Sequence, residues 1–215
     1  MKAADEFVVY DNIEYTKKGW INRNRMLQNG KDTFFTLPLK KDSDFLFIKD
    51  RFLCENWETE KQKILNKIKE NYRKAPFFDS TFRLFENCIN FKDTNLFNFI
   101  FNSLTVIKEH LEINTRFTIS SDLEINHQLK SEKKVIEICK NRKAEIYINA
   151  IGGRELYSKN EFQQNNIDLK FIETGKIEYK QFDNQFISNL SILDLMMFNS
   201  KTTIKEFLQT EYTLI

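Results

Sequence analysis

The chain has 215 residues, room for one sizeable domain with its own core. Hydrophobic residues make up 41% and charged residues 30%, with only 5 Gly and 2 Pro, which excludes a disordered or repetitive chain. Basic and acidic residues nearly cancel, 33 against 31, so bulk-charge binding to nucleic acid is excluded and any anion site must be local.

"EFVVYD" (Glu6–Asp11) is a short β-branched and aromatic run that predicts a buried strand. The polar loop "NIEYTKKG" follows. "WINRNRML" and "DTFFTLPL" flank Asn29-Gly30, and both turn positions tolerate positive φ, so a tight hairpin is expected. Pro38 marks the second arm as an edge or a terminus. In the first arm a period of two places Ile21, Arg23, Arg25 and Leu27 on one face and Trp20, Asn22, Asn24 and Met26 on the other. The hairpin therefore reads as a rigid platform presenting two arginines side by side.

Helices are expected over Asn56–Lys74 with Asn56 as cap, after Pro76 from a cap at Asp79, and through "NLFNFIFNSLTVIKEHL", opened by Asp93 or Thr94. The second half then alternates. "RFTIS", "AEIYINAI", "IDLKFIE" and "IEYKQF" read as strands; "SEKKVIEICKNRK", "RELYSKNEFQQNN" and "NLSILDLMMFN" read as helices, the last capped by Ser191. Gly152-Gly153 reads as a tight turn. This alternation predicts an α/β fold, Rossmann-like, with a mixed, largely parallel sheet flanked by helices and an N-terminal β-hairpin. No repeat or linker interrupts it, so residues 1–215 read as a single domain with 200–215 as a tail.

The three cysteines, Cys54, Cys88 and Cys139, are far apart and form no CxxC pair, so neither a zinc knuckle nor a disulfide framework is expected. A reducing, cytoplasmic setting fits this usage. No secretory signal opens the chain, and no apolar run approaches the roughly 20 residues of a membrane helix. With two histidines and no ligand spacing, no metal site is expected.

Several residues carry candidate chemistry. Arg23 and Arg25 are planar donors suited to phosphate or carboxylate, with a solvated hairpin face as the plainer alternative. Lys17, Lys18, Asn22 and Asn24 sit beside them. Asp11 ends a strand, where α/β sites gather, and is a candidate general base or hydroxyl acceptor; a loop cap is the alternative. Tyr15 and Trp20 offer faces for a nucleobase or sugar, or close a small core under the loop. Ser120 and Ser121 follow a strand and offer hydroxyls and amides to an anion, although turn capping is the commoner use. His127 is a candidate general base among loop histidines that are mostly inert. Cys88 and Cys139 fall on apolar helix faces and read as core, while His110 is favoured at a helix C-terminus without any catalytic role. Asp194, within an apolar helix, needs a partner if buried, for which a hairpin arginine is one choice; otherwise it faces solvent.

The pattern D-x-x-x-Y-x-K-x-x-W-x-x-R-x-R, carried by Asp11, Tyr15, Lys17, Trp20, Arg23 and Arg25, resembles the WbqC-like proteins. "APFF", "ISSDL", "VIEICKNRKAEIYINAIGG" and "LSILDLMMF" extend the resemblance over nearly the whole chain. Family members usually open with a further strand and a Q-P-x-x-x-P-x-x-G-Y-F segment, which has no counterpart before "KAADEFVVYD". An incomplete sheet edge or open groove beside Glu6–Asp11 is therefore expected, a surface on which a homo-oligomer could form.

The resemblance implies a bacterial enzyme of surface-polysaccharide (O-antigen type) precursor biosynthesis acting on a nucleotide-linked amino sugar, with acyl or aminoacyl transfer as its reaction and an acyl donor as second substrate. Lys17, Arg23 and Arg25 would engage the diphosphate, Tyr15 or Trp20 would pack on a ring, and Asp11 would orient a hydroxyl or amine. No side chain stands out as a covalent nucleophile, so direct attack by the substrate amine is the expected route. The alternative is a non-catalytic protein of the same pathway that holds a sugar nucleotide or a partner.

Overall fold

In the computed structural model, which describes residues 1–43, 45–183 and 185–215, the chain folds as two units built from interleaved stretches. A sheet unit comprises residues 1–10, 115–176 and 208–215, and a hairpin unit comprises 11–114 and 177–207. In chain order the strands are β1 (Glu6–Val9), β2 (Arg23–Gln28), β3 (Lys31–Thr36), β4 (Arg116–Ile119), β5 (Ile146–Ala150), β6 (Asp168–Thr174) and β7 (Tyr212–Leu214). The helices are α1 (Trp57–Tyr72), α2 (Phe78–Ile89), α3 (Leu96–His110), α4 (Ser131–Arg142), α5 (Lys159–Gln164), α6 (Ile192–Phe198) and α7 (Lys201–Thr210). The α/β class, the flanking helices and the hairpin all agree with the sequence, but the described strands form three small sheets in place of one continuous one.

In the sheet unit β1 pairs in parallel with β4, and β5 in parallel with β6, whose other edge takes β7 antiparallel. The core gathers Val135 and Cys139 of α4, Phe162 of α5, and Leu169 and Phe171 of β6. Complete burial of a Phe or Leu side chain contributes about 1.5–3 kcal/mol. Helix α5 is shorter than expected because it starts only where Ser158 Oγ accepts the amide of Glu161. Glu6 anchors β1: it accepts from Thr118 Oγ1 at 2.5 Å, Arg116 at 2.6 Å and Arg142 at 3.0 Å. Burial alone would raise its pKa, but these partners hold the carboxyl below the usual range. A cavity of about 570 Å³ is lined by Phe7 and Val8 of β1 and by Tyr147 and Ile148 of β5, strands that do not pair with each other.

In the hairpin unit β2 and β3 run antiparallel from Arg23 opposite Thr36 to Gln28 opposite Lys31. The two-residue turn is made by Asn29 at φ 51° and Gly30 at φ 71°, the left-handed pair that a type I′ turn requires. Helix α1 buries Trp57, Ile64, Leu65, Ile68 and Tyr72, as its periodicity predicts. Two expected caps move. Asp79 lies inside the first turn of α2, and Asn95 caps α3 by accepting from Asn98, with Asp93 in turn accepting the Asn95 amide.

Two further expectations are corrected. "IEYKQF" forms no strand: Tyr179 and Gln181 turn their side chains onto the buried Asp194, and Phe182 takes φ 53°. Residues 200–215 form α7 and β7, with Ile204 buried and β7 paired to β6, so they are no tail. None of the described helices is long and apolar enough to cross a membrane.

Candidate functional site

The site is built on the loop that leads into the hairpin. Tyr15 is buried, and its hydroxyl donates to Asn22 Oδ1 at 2.9 Å. Asn22 Nδ2 then donates to the Leu37 carbonyl at 2.8 Å, while the Leu37 amide returns to the Asn22 carbonyl at 2.7 Å. The guanidinium of Arg51 lies 4.7 Å from the centre of the Tyr15 ring, and Arg51 Nη1 donates to the Ser43 carbonyl. Tyr15 therefore pins the loop to the hairpin and presents no free face for a ligand. Asn22, also buried, is the second pin.

Extended pairing starts only at Arg23, because residues 19–22 bend. The period of two therefore does not reach back to Trp20, which was expected on the face opposite Arg23. Instead Trp20 folds onto Phe34 at 5.9 Å, and the Arg23 guanidinium lies 4.9 Å from the Phe34 ring and 5.6 Å from the Trp20 ring. Arg23 Nε donates to the Gly19 carbonyl at 3.0 Å and Nη2 to the Lys18 carbonyl at 2.6 Å. Gly19 fits this bend because a Cβ there would meet Thr16 Oγ1. Trp20 remains 61% exposed.

Arg25 shares the face of Arg23, as expected, but its head turns elsewhere. Nε and Nη2 meet Asp32 Oδ2 at 3.0 and 2.8 Å, and Nη1 reaches the Asn189 carbonyl at 3.3 Å. The two guanidinium groups thus serve different acceptors. The platform is one exposed aromatic-arginine stack and one neutralised arginine.

Beside the hairpin lies a cleft of about 300 Å³, small but within the range of ligand pockets. Trp20, Asn22, Arg23 and Asn24 line one part of it, and apolar residues of α2, α3 and α6 line the rest. Among the described residues its lining holds no Asp, Glu, His or Lys. Cys88 is in the wall, and burial pushes its thiol up to about 11, so it is no nucleophile at neutral pH. The same holds for Cys139 in the sheet-unit core, also pushed up to about 11 by burial.

Ser191 stands at the N-cap position of α6, as expected, but its hydroxyl caps nothing. It lines the cleft, is 6% exposed, and its Oγ has no hydrogen-bond partner. Three residues on, Asp194 is fully buried and accepts from Tyr72 Oη, Tyr179 Oη and Gln181 Nε2, each at 2.7 Å. Neither a hairpin arginine nor solvent is its partner, contrary to both expectations. Burial raises the Asp194 pKa above the ordinary carboxylate range, although the three donors pull it down. Tyr72 Oη also accepts the Leu27 amide at 2.7 Å, so this buried hub ties β2 to α1 and α6.

The other residues marked by the sequence lie elsewhere. Asp11 is 2% exposed, with Lys49 Nζ 4.0 Å from Oδ2, and does not line the cleft. Lys17 is exposed on the entering loop. Ser120, fully buried, and Ser121 form a 3-10 turn after β4 in the sheet unit, where His127 Nε2 lies 3.0 Å from the Leu123 carbonyl. His110 closes α3, where burial and then Lys201 lower its pKa.

The cleft-lining motif residues fall within a wider sequence similarity. The profile of the WbqC-like protein family matches residues 1–206. The chain is 27% identical over 208 residues to a Mycobacterium tuberculosis (strain ATCC 25618 / H37Rv) protein named "Uncharacterized protein Rv1507c", covering 96% of this chain and 88% of that one. No solved structure matches. With the profile matching residues 1–206, and the D-x-x-x-Y-x-K-x-x-W-x-x-R-x-R residues lying in β2 and the loop that enters it, the chain belongs to the WbqC-like protein family.

Proposed function

We propose that the protein works in the cytoplasm in making bacterial surface polysaccharide, binding a nucleotide-linked amino sugar along the β2–β3 hairpin. The observation that carries this reading is that Trp20, Asn22 and Arg23, three residues of the hairpin and its entering loop, line a single cleft. A guanidinium has five N–H donors, and Arg23 gives two bonds to main-chain carbonyls, so donors remain for a diphosphate. Trp20 offers its exposed ring to a sugar or base. Arg25, paired with Asp32, stiffens the hairpin more than it attracts anions.

In the fuller form of this reading the amine of the bound sugar attacks the carbonyl of an acyl donor. The new C–N bond replaces the bond to the leaving group, and the amine proton is released. One observation favours the alternative, a protein that binds without catalysing: no carboxylate, imidazole or ammonium group is among the described cleft-lining residues.

The test is calorimetric titration of UDP- and dTDP-sugars into wild type, Arg23→Ala and Arg25→Ala. Wild type should bind, and Arg23→Ala should lose about 1.5–3 kcal/mol, or roughly one to two decades of affinity. Arg25→Ala should bind nearly as wild type does. Failure of wild type to bind any nucleotide sugar, or equal binding by all three proteins, defeats the proposal.

A further inference from the structure

The cavity of about 570 Å³ in the sheet unit is walled by β1 and β5, two strands that no hydrogen bond joins among the described residues. The strand register decides which main-chain groups face it. Arg116 donates its amide to the Asp5 carbonyl, and Asp168 donates its amide to the Glu145 carbonyl. In a parallel ladder alternate residues bond to the same neighbour, so Asp5, Phe7 and Val9 serve β4, while Glu145, Tyr147 and Asn149 serve β6. The N–H and C=O groups of Glu6, Val8, Ile146 and Ile148 therefore turn to the opposite edges, toward the cavity these residues line. They meet no main-chain partner there among the described residues. Backbone groups in a fold are nearly always paired, and an open strand edge is a template for another chain.

Between the walls the lining is apolar, with Val135, Ile138 and Cys139 of α4 among its residues. An aliphatic ligand would cover that lining and leave both rows of backbone groups unpaired, whereas an extended peptide pairs with them as it covers it. At the Glu6 end two guanidinium groups share one carboxylate: Glu6 meets Arg116 at 2.6 Å and Arg142 Nε at 3.0 Å. Arg142 lines the cavity, and its Nη groups make no hydrogen bond among the described residues. Such a planar donor suits a carboxylate.

We propose that this slot takes the carboxyl-terminal strand of a partner polypeptide, paired through its main chain with β1 and β5 and held by its terminal carboxylate on Arg142. Arg142 stands at the start of β1, so the bound strand runs antiparallel to β1. The site is separate from the hairpin cleft and independent of nucleotide binding there.

The probe is the peptide acetyl-TVTVT with a free carboxyl terminus, in which both valines face the apolar lining. Its carboxamide form, a copy N-methylated at alternate residues, and hexanoate are the comparisons. Binding is followed by calorimetry and by hydrogen exchange with NMR detection. Without peptide the amides of Val8 and Ile148 should exchange rapidly while those of Phe7 and Asn149 are protected; with peptide, Val8 and Ile148 should slow at least tenfold. The carboxamide should bind about tenfold more weakly and the N-methylated copy not at all. Arg142→Gln should bind acid and carboxamide alike. Ile148→Pro removes an amide that faces the slot and none that pairs with β6, so it should abolish binding; if it does not fold, exchange at Ile148 in wild type decides. Slow exchange at Val8 and Ile148 before peptide is added overturns the proposal. So do failure of the acid to bind, equal binding of the N-methylated copy, protection elsewhere, or a preference for the acid that survives in Arg142→Gln. Equal affinity for hexanoate makes the cavity a fatty-acid site, and protection on concentrating the protein alone makes the occupant a second copy; either result also overturns it.

Discussion

Removing one hydroxyl from the buried hub tests how the hairpin is held to its helices. Tyr72 is fully buried, and its Oη accepts the Leu27 amide and donates to Asp194, both at 2.7 Å. Tyr72→Phe keeps the ring and strips both contacts. A buried amide left without a partner costs about 1–3 kcal/mol, and a lost hydrogen bond to a charged group about 1.5–3 kcal/mol. Asp194 retains Tyr179 and Gln181, so the lower half of the sum applies, about 3 kcal/mol. For a chain of this size that lowers the melting temperature by about 6–12 °C. The assay is thermal and urea denaturation of both proteins. The penalty also carries a pH signature. Burial holds the Asp194 pKa above its unfolded value, so its contribution is fullest at low pH and is lost as pH rises through the folded value. Deleting a donor to the ionised form raises that value further, so the penalty should grow from acid toward neutral pH. A shift below about 2 °C, the size of an ordinary surface substitution, would refute the reasoning.

Glu112 provides a second pH test: hydrogen bonds from Lys201 and Lys205 hold its carboxyl down to about 2. A depressed folded value contributes stability above the ordinary carboxylate range, which is lost as pH falls toward 2, and an NMR titration of Lys201→Ala/Lys205→Ala should return the group to the ordinary range. Gly30→Ala forces a Cβ into φ 71° and should cost about 1–2 kcal/mol in urea denaturation; a neutral result would contradict the turn assignment. Cys88 and Cys139, buried with thiols pushed up to about 11, should resist iodoacetamide at pH 8 until the chain unfolds, and rapid labelling of either would show the packing to be wrong.

What was legible in the sequence was local. Asn29-Gly30 announced the hairpin because the backbone conformation it needs is written in two residues. The shared face of Arg23 and Arg25 followed from a period of two, but the destinations of their heads did not. Arg25 meets Asn189 across 164 positions of sequence, and the bend that brings Trp20 beside Arg23 has no periodic signal. The hub of Asp194 was similarly hidden, since Tyr72 is 122 residues away. Ile177–Phe182 alternates like a strand, yet its polar side chains serve that carboxylate, so side-chain bonding displaced ladder bonding. The α7–β7 segment could have been found: "IKEFL" has helical spacing, and "EYTLI" has the aromatic and β-branched content of a strand. Ser191 carried a misleading signal, because a serine before an apolar helical run reads as a cap whether or not its hydroxyl caps.

The central claim, that the hairpin cleft holds a nucleotide-linked sugar, is tested most directly by tryptophan fluorescence. The chain has 2 Trp: Trp20 is 61% exposed at the cleft, and Trp57 is 4% exposed in the core. Titration with UDP- and dTDP-sugars should change the emission of wild type saturably and leave the emission of Trp20→Phe unchanged. Contradiction would come from a flat wild-type response to every nucleotide sugar, or from an equal response in Trp20→Phe.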